Sequence, residues 1–251
     1  MLELKDITKR YQGRTVVDRV SLALPDGQAV SIIGPNGAGK STLLRIMARL
    51  TGADGGEVLL HGRPLAQWKS NEFARHVSLL TQESGFQGRM TVRELVSLGR
   101  FPYCRGRLAP ADRDAVERSL ALLALEPFGD RFLDQLSGGQ RQLARIAMAL
   151  AQDAEIILLD EPAASLDINH ALRLMEIVRR LCDEQGRTVA MVLHDINLAA
   201  RCSDLIFAIK EGKLAGAGAP EEIIRPGFLR GMYGVDFTVM PMNGKPFAAY
   251  G

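Results

Sequence analysis

A glycine-rich segment in the first fifth of the chain has the residue types needed to hold a phosphate chain. Residues 34–41 read GPNGAGKS, which fits the pattern G-x-x-x-x-G-K-[ST]. Glycines let successive backbone N–H groups point into one concavity, and the lysine supplies a mobile positive charge for phosphate oxygens. The hydroxyl of Ser41 is a hard oxygen ligand of the kind that Mg²⁺ prefers. The segment therefore predicts a nucleotide phosphate site rather than a turn that binds nothing.

The residues on both sides of this segment support the same interpretation. The continuous apolar run 29–34 precedes it and predicts a strand buried on both faces of a parallel sheet. The segment STLLRIMARL follows it and predicts a helix, whose N-terminus adds positive potential for phosphates. We expect this helix to end near Gly52 and to bury Leu43, Leu44, Met47 and Leu50.

Two carboxylates follow a second apolar run. The sequence IILLD ends at Asp160 and continues with Glu161 and Pro162. Because ligands bind beyond the carboxyl ends of parallel strands, we expect both carboxylates beside the phosphate site. Asp160 would serve Mg²⁺, and Glu161 could accept a proton from an attacking water. For the pair alone, a solvated acidic turn explains the residues equally well; the glycine-rich segment favours the catalytic interpretation.

A third candidate site is the sequence LSGGQ, which begins at Leu136. Ser137, Gly138 and Gly139 precede a helical pattern, so a hydroxyl and exposed amides would lie at a helix N-terminus, where anions bind. A serine in this place is also a common N-cap. The spacing alone leaves the two interpretations open.

The elements that must position these residues predict an α/β fold. Buried strand-like runs at 29–34, 155–160 and 188–194 alternate with helical patterns such as 171–182, which is typical of a parallel sheet. Partial alternation in the first 27 residues predicts antiparallel strands. Residues 85–153 carry helical patterns without a comparable apolar run, and we interpret them as an inserted helical subdomain.

Composition excludes several classes of protein. The 251 residues are 47% hydrophobic and 24% charged, which are globular values and exclude a disordered chain. The formal net charge of +2 gives no reason to expect nucleic acid as a partner. Three scattered cysteines favour neither a disulfide framework nor a zinc site. No apolar run reaches the roughly 20 residues that span a bilayer, so we expect any membrane-spanning part to come from another chain.

Taken together, these motifs resemble those of the ATP-binding-cassette (ABC) ATPases, and the resemblance covers essentially the whole chain. GPNGAGKST is similar to the Walker A motif of the family, LSGGQ to its signature, and IILLDEP to its Walker B motif with the catalytic glutamate. The resemblance implies one ABC ATPase domain over 1–251, with a P-loop NTPase parallel-sheet core at about 1–84 and 154–251. An N-terminal antiparallel β-subdomain and a helical subdomain at about 85–153 would complete it.

The resemblance also implies roles for residues outside these motifs. Gln82 would be the Q-loop glutamine that senses Mg²⁺, Asp167 would lie in the D-loop, His194 would be the switch histidine at the γ-phosphate, and Tyr11 would stack on adenine. Ala163 departs from the hydroxyl residue of many members, without affecting a catalytic role. The implied catalytic residues are Glu161, His194 and Gln82, and the implied Mg²⁺ ligands are Ser41, Gln82 and Asp160. The implied ATP contacts are Tyr11, Gly34, Pro35, Asn36, Gly37, Ala38, Gly39, Lys40, Ser41, Thr42, Ser137, Gly138, Gly139, Gln140 and Asp167.

Two copies of such a chain would pair head to tail, so that Ser137 and Gly139 of one contact the γ-phosphate held by the other. Segments 90–103 and 192–204 resemble the cassettes of iron-siderophore, haem and cobalamin importers. The predicted function is therefore the ATP-hydrolysing subunit of a bacterial importer, peripheral on the cytoplasmic face of the inner membrane. The alternatives are a cassette for efflux or lipid export and a non-transport ABC ATPase.

The implied partners are integral-membrane permease subunits and, indirectly, a substrate-binding protein, with no nucleic acid. We expect the permease to dock on the segment from Gln82 to about Arg107, because aromatic residues, methionine and arginine are enriched at protein interfaces. The docking candidates in this segment are Phe86, Met90, Phe101 and Tyr103, and for Met90 a place in the core of the helical subdomain is the equal alternative.

Overall fold

The structure is a computed structural model that describes residues 1–81, 89–104 and 106–250. The chain divides into two compact units: unit 1 comprises Met1–Trp68 and Val178–Gly251, and unit 2 comprises Lys69–Ile177. Within the described residues, none of the helices combines the length and the apolar character needed to cross a bilayer.

Helices and strands alternate along most of the chain. In chain order they are β1 (Leu2–Tyr11), β2 (Arg14–Leu24), β3 (Ala29–Ile33), α1 (Lys40–Met47), β4 (Gly55–Leu60), β5 (Arg63–Pro64), α2 (Ser70–His76), β6 (Val77–Leu80), α3 (Val92–Leu98), α4 (Phe101–Cys104), α5 (Pro110–Leu122), α6 (Gly138–Ala151), β7 (Ile156–Asp160), α7 (Ile168–Gln185), β8 (Thr188–Val192), α8 (Ile196–Cys202), β9 (Leu205–Lys210), β10 (Lys213–Gly218), α9 (Pro220–Ile223), α10 (Pro226–Tyr233), β11 (Phe237–Met242) and β12 (Lys245–Tyr250).

Unit 1 contains the antiparallel sheet that the N-terminal alternation predicted. Its strand order is β2-β1-β4-β5, and Leu2 pairs with Leu24 on one side and with Leu60 on the other. In β2, Val17 and Val20 are fully buried and Val16 is half-buried, because register shifts along the β1–β2 pair interrupt the simple alternation.

A second sheet region in unit 1 is built around β3, which pairs in parallel with β8 and β9, while β10 is antiparallel to β9. Every residue of β3 and β8 is buried, as their continuous apolar runs predicted. The C-terminal hairpin of β11 and β12 packs on α8, where the Asn197 side chain exchanges two hydrogen bonds with the Ala248 backbone, of 3.1 and 2.8 Å.

Helix α1 confirms most of its predicted core but is shorter than expected. Leu43, Leu44 and Met47 are buried, whereas Leu50 is 65% exposed. The helix ends at Met47, and Arg49 takes a left-handed conformation (φ 60°) that turns the chain before Leu50 can reach the inner face. The predictions that Leu50 is buried and that the helix runs to Gly52 were therefore wrong.

Unit 2 contains a cluster of packed helices, α3, α5 and α6, together with the parallel pair β6 and β7. A buried ion pair fastens the cluster: Arg100 Nε lies 2.9 Å from Asp112 Oδ1, and the same guanidinium donates to the Ala151 carbonyl. The backbone N–H of Ala109, and then Arg100, lower the pKa of Asp112 below its ordinary value.

The predicted fold class, an α/β core with an N-terminal antiparallel subdomain and a helical subdomain, is confirmed by these elements. Helices α3 to α6 all fall within the expected helical segment 85–153, which lies inside unit 2. The exact boundaries of the helical subdomain stay a prediction.

Candidate functional site

The glycine-rich segment forms a loop between β3 and the first turn of α1. Gly39 is the residue before α1 and is left-handed (φ 99°), a conformation that favours glycine. A Cβ at Gly39 would also lie 2.6 Å from the Val16 carbonyl oxygen, which backbone packing does not allow. Glycine at this position therefore lets the loop lie directly against β2.

Lys40 is buried, and its ammonium lies within the loop. It donates to the carbonyls of Gly34 and Pro35 at 2.8 and 2.9 Å. These contacts hold the positive charge over the concavity in which we expect phosphate oxygens. Ser41 and Thr42 follow in the first turn of α1 and are half-buried.

A predicted catalytic residue, His194, and a predicted ATP contact, Tyr11, lie elsewhere in unit 1. His194 is exposed and lies directly beyond the end of β8. Strand β8 is the parallel neighbour of β3, and the pairing continues to Leu193, whose N–H donates to the Ile32 carbonyl at 3.2 Å. His194 therefore shares the carboxyl edge of the sheet with the phosphate loop. Tyr11 ends β1, is 44% exposed, and has Lys9 Nζ 5.4 Å from its ring centre.

The back of the phosphate loop is held by residues that no sequence motif indicated. Gly212, in the β9–β10 turn, donates its N–H to the Ala38 carbonyl at 3.1 Å and accepts from Asp18 N–H at 2.8 Å. Burial raises the pKa of Tyr233 to about 12, with a backbone hydrogen bond to Gly34 acting in the opposite direction. The Glu-Gly pair at 211–212 is a recognisable turn signal, but nothing in the sequence indicates what the turn contacts.

In unit 2, β7 ends at the first of the two predicted carboxylates, and the second follows directly. Asp160 is the last strand residue and is 1% exposed. Glu161 is left-handed (φ 51°), and Ala164 N–H closes a turn on the Glu161 carbonyl at 3.2 Å. This conformation costs about 1–2 kcal/mol for a side chain other than glycine, and a following proline disfavours helical backbone further. Strain of this kind is concentrated at functional sites.

The LSGGQ segment forms the N-terminal end of α6, also in unit 2. Ser137 Oγ accepts the Gln140 N–H at 3.2 Å, and Gln140 Oε1 accepts the Ser137 N–H at 3.0 Å. The N-cap interpretation is therefore confirmed. The anion interpretation stays open beside it, because a hydroxyl that accepts a hydrogen bond keeps its own proton to donate.

Asp167 directly precedes α7 and is held in place by His170. One carboxylate oxygen accepts the His170 N–H at 2.9 Å, and the other lies 2.8 Å from the His170 ring nitrogen Nδ1. These contacts, the backbone bond first, lower the pKa of Asp167. The carboxylate is exposed, so it stays available to a second molecule.

The predicted docking segment is only partly described. Gln82 and Phe86 lie outside the described residues, so their predicted roles stay predictions. Phe101 is 59% exposed, as docking requires. Tyr103 is half-buried, and Arg100 and Arg75 lie 3.9 and 5.2 Å from its ring centre. Tyr103 therefore packs within unit 2, and its role in docking stays a prediction.

The residues available for a metal ion suit a hard cation. Ser41 offers a hydroxyl in the first turn of α1, and Asp160 offers a buried carboxylate at the end of β7. Hydroxyl and carboxylate oxygens are ligands of Mg²⁺, which also keeps several waters. Each of these two oxygens is therefore of the chemical type that the predicted ion prefers, and their binding of one shared ion stays a prediction.

Comparison with known proteins identifies the family. The model of the ABC transporter family matches residues 17–164, more than half of the chain. The chain belongs to the ABC transporter family, as an ATP-binding subunit. The resemblance inferred from the motifs is thereby confirmed.

Relatives and solved structures agree with this assignment. The petrobactin import ATP-binding protein YclP of Bacillus subtilis (strain 168) is 41% identical over 250 residues, which cover 100% of this chain and 99% of YclP. The ferric enterobactin transport ATP-binding protein FepC of Escherichia coli (strain K12) is 41% identical over 246 residues, covering 96% of this chain and 91% of FepC. The dimeric structure of MJ0796, a bacterial ABC transporter cassette, has a TM-score of 0.80 and 32% identity, and the match covers 88% of this chain and 99% of MJ0796.

Proposed function

We propose that this chain is the ATP-hydrolysing subunit of a bacterial importer for ferric siderophores or a related metal chelate. The observation that carries the proposal is the full-length similarity, at about 40% identity, to proteins named for petrobactin import and ferric enterobactin transport. The importer relatives favour this function over the efflux, lipid-export and non-transport alternatives.

We infer the chemistry of each residue from the motif to which it belongs. The phosphate loop and Lys40 bind the phosphates of ATP, and Tyr11 stacks on the adenine ring. Glu161 accepts the proton of the attacking water, and His194 orients that water at the γ-phosphate. Ser41, Asp160 and Gln82 would hold Mg²⁺, which would supply positive charge to the phosphate oxygens.

The functional form is a head-to-tail dimer of two copies. Residues 137–140 and Asp167 of one copy complete the ATP site formed on the other, because phosphoryl transfer needs more donors around its developing charge than one loop provides. The dimeric structure of MJ0796, at 32% identity, supports the pairing of two copies. ATP then holds the dimer closed, and hydrolysis removes that contact.

The dimer would work at the cytoplasmic face of the inner membrane, bound to permease subunits. Phe101 and Leu98, which are 59% and 41% exposed, support a docking surface on unit 2. A substrate-binding protein would deliver the chelate to the permease and would have no contact with this chain.

The substitution Glu161→Gln tests the enzymatic part of the proposal. The amide keeps the shape of the side chain but cannot accept a proton, so steady-state hydrolysis should fall by about 100-fold or more while ATP binding persists. The variant should accumulate as an ATP-bound dimer, which light scattering detects. Glu176→Gln, an exposed change on α7, is the matched control and should hydrolyse ATP normally.

The substrate is tested in a reconstituted transporter. The complete complex, with permease and binding protein in lipid vesicles, should take up radiolabelled iron as a ferric siderophore when ATP is supplied. Substantial hydrolysis by Glu161→Gln would remove this residue from the role of base. ATPase activity that no ferric chelate stimulates would contradict the importer assignment and leave the ATPase assignment intact.

A further inference from the structure

A buried amide on α6 contacts the turn that carries Glu161. Gln142 lies on the inner face of α6 and is 9% exposed, and its Nε2 donates to the Pro162 carbonyl at 3.3 Å. A buried side-chain amide is costly unless it is hydrogen-bonded, and an apolar residue of similar length would fill the same space. The hydrogen bond therefore gives Gln142 a role that packing alone does not explain.

The carbonyl that Gln142 holds belongs to the turn after β7. Pro162 is buried and follows Glu161, whose left-handed backbone is closed by the Ala164 N–H. A strained turn keeps its conformation only where its surroundings determine it. The orientation of the 162–163 peptide fixes the turn and hence the direction of the Glu161 side chain, so the donor on Gln142 restrains the carboxylate.

The same helix touches the following segment at a second point. A Cβ added at Gly139 would lie 3.6 Å from the Ser165 carbonyl oxygen, so the N-terminal end of α6 packs closely on this loop. Ser137, the cap of α6, lies five residues before Gln142 on the same element. A shift of α6 caused by an anion at its N-terminus would therefore be transmitted to residues 162–165.

We propose that Gln142 is a positioning residue that holds the Glu161 turn and links it to the anion-binding end of α6. The inference rests on the proposed head-to-tail dimer, in which Ser137 and Glu161 of one chain serve different ATP sites. Through Gln142, nucleotide binding at one site would then affect the position of the Glu161 carboxylate, which activates water at the other site.

The test uses mixed dimers of the full chain, isolated through two affinity tags, in which Glu161→Gln inactivates one site. In the first dimer, Gln142→Met is on the chain that keeps Glu161. In the second, Gln142→Met and Glu161→Gln share a chain, so the active site takes only its signature from the Gln142 variant. The reference dimer pairs wild type with Glu161→Gln, and the readout is the single-turnover rate of ATP hydrolysis.

A positioning role predicts about a tenfold lower rate in the first dimer, with ATP affinity unchanged, and less than a twofold change in the second. Leu143→Met, a volume-conserving change of the neighbouring buried residue, should leave both dimers near the reference rate. Equal rates in the two dimers overturn the proposal, because they indicate that Gln142→Met has only a general effect on stability. A slower second dimer also overturns it, because Gln142 would then support the signature alone.

A separate pair of dimers tests the head-to-tail arrangement itself. With Ser137→Arg on one chain and Glu161→Gln on the other, one composite site is intact and hydrolysis continues. With both changes on the same chain, neither site is intact and hydrolysis stops. The reverse pattern refutes the dimer arrangement independently of Gln142.

Discussion

Gly212 touches no nucleotide in the proposed mechanism, yet its replacement by alanine should weaken ATP binding. Its N–H holds the Ala38 carbonyl at the back of the phosphate loop, and its backbone is left-handed (φ 79°). A Cβ at Gly212 would lie 2.6 Å from the Val16 carbonyl oxygen, so the β9–β10 turn would have to move away from the loop.

The chain contains a matched control for this change. Gly62, in the β4–β5 turn, has a similar φ of 74° and follows a left-handed residue, as Gly212 does, but a Cβ there would meet nothing within 4 Å. Gly62→Ala should therefore cost only the left-handed penalty of about 1–2 kcal/mol. Gly212→Ala should add an overpacking cost of about 1–3 kcal/mol.

Urea unfolding of the two variants measures the difference in the free energy of unfolding, and titration with a fluorescent ATP analogue measures affinity. For Gly212→Ala we expect about tenfold weaker binding of the ATP analogue, which corresponds to a loss of roughly 1.4 kcal/mol in binding free energy caused by distortion of the phosphate loop. For Gly62→Ala we expect unchanged binding. Equal destabilisation by the two substitutions, with equal affinities, would refute the claim that the turn supports the phosphate loop.

Two further predictions concern unit 2. Because folding lowers the pKa of Asp112, its carboxylate stabilises the protein above about pH 4, and this contribution disappears as the pH falls through the lowered value. Asp112→Asn should therefore cost about 3–5 kcal/mol at pH 7 and less near pH 3 in urea unfolding, whereas the exposed Asp114→Asn should cost little at either pH. Phe101→Ser should leave the midpoint of thermal unfolding unchanged and abolish co-purification with the permease. Tyr103→Ser should instead lower the midpoint, because that ring packs within unit 2. A lower midpoint for Phe101→Ser would contradict docking by its ring.

Local patterns in the sequence were sufficient to predict most elements that carry the site. Continuous apolar runs predicted β3, β7 and β8, because strands buried on both faces require apolar residues at every position. The phosphate loop and the cap of α6 could be predicted because their chemistry depends on residues that are adjacent in the chain.

Long-range contacts could not be predicted in this way. The hydrogen bonds from Gly212 to Ala38 and from Gln142 to Pro162 join residues far apart in the chain, and no spacing rule relates them. The prediction of where α1 ends failed for a different reason. Gly52 has the appearance of a helix stop, but the chain leaves the helix earlier, at Arg49, a residue with no particular preference for a left-handed conformation.

At Glu161, the residue that the reaction requires is not the residue that would make the protein most stable, because the backbone there is left-handed. Glycine would adopt this conformation without strain, so Glu161→Gly should produce a more stable but inactive protein. Random mutagenesis that selects only for heat resistance should therefore enrich glycine at this position, whereas selection for iron uptake should remove it. Selection for ATP hydrolysis, and not for stability, therefore maintains glutamate at this position.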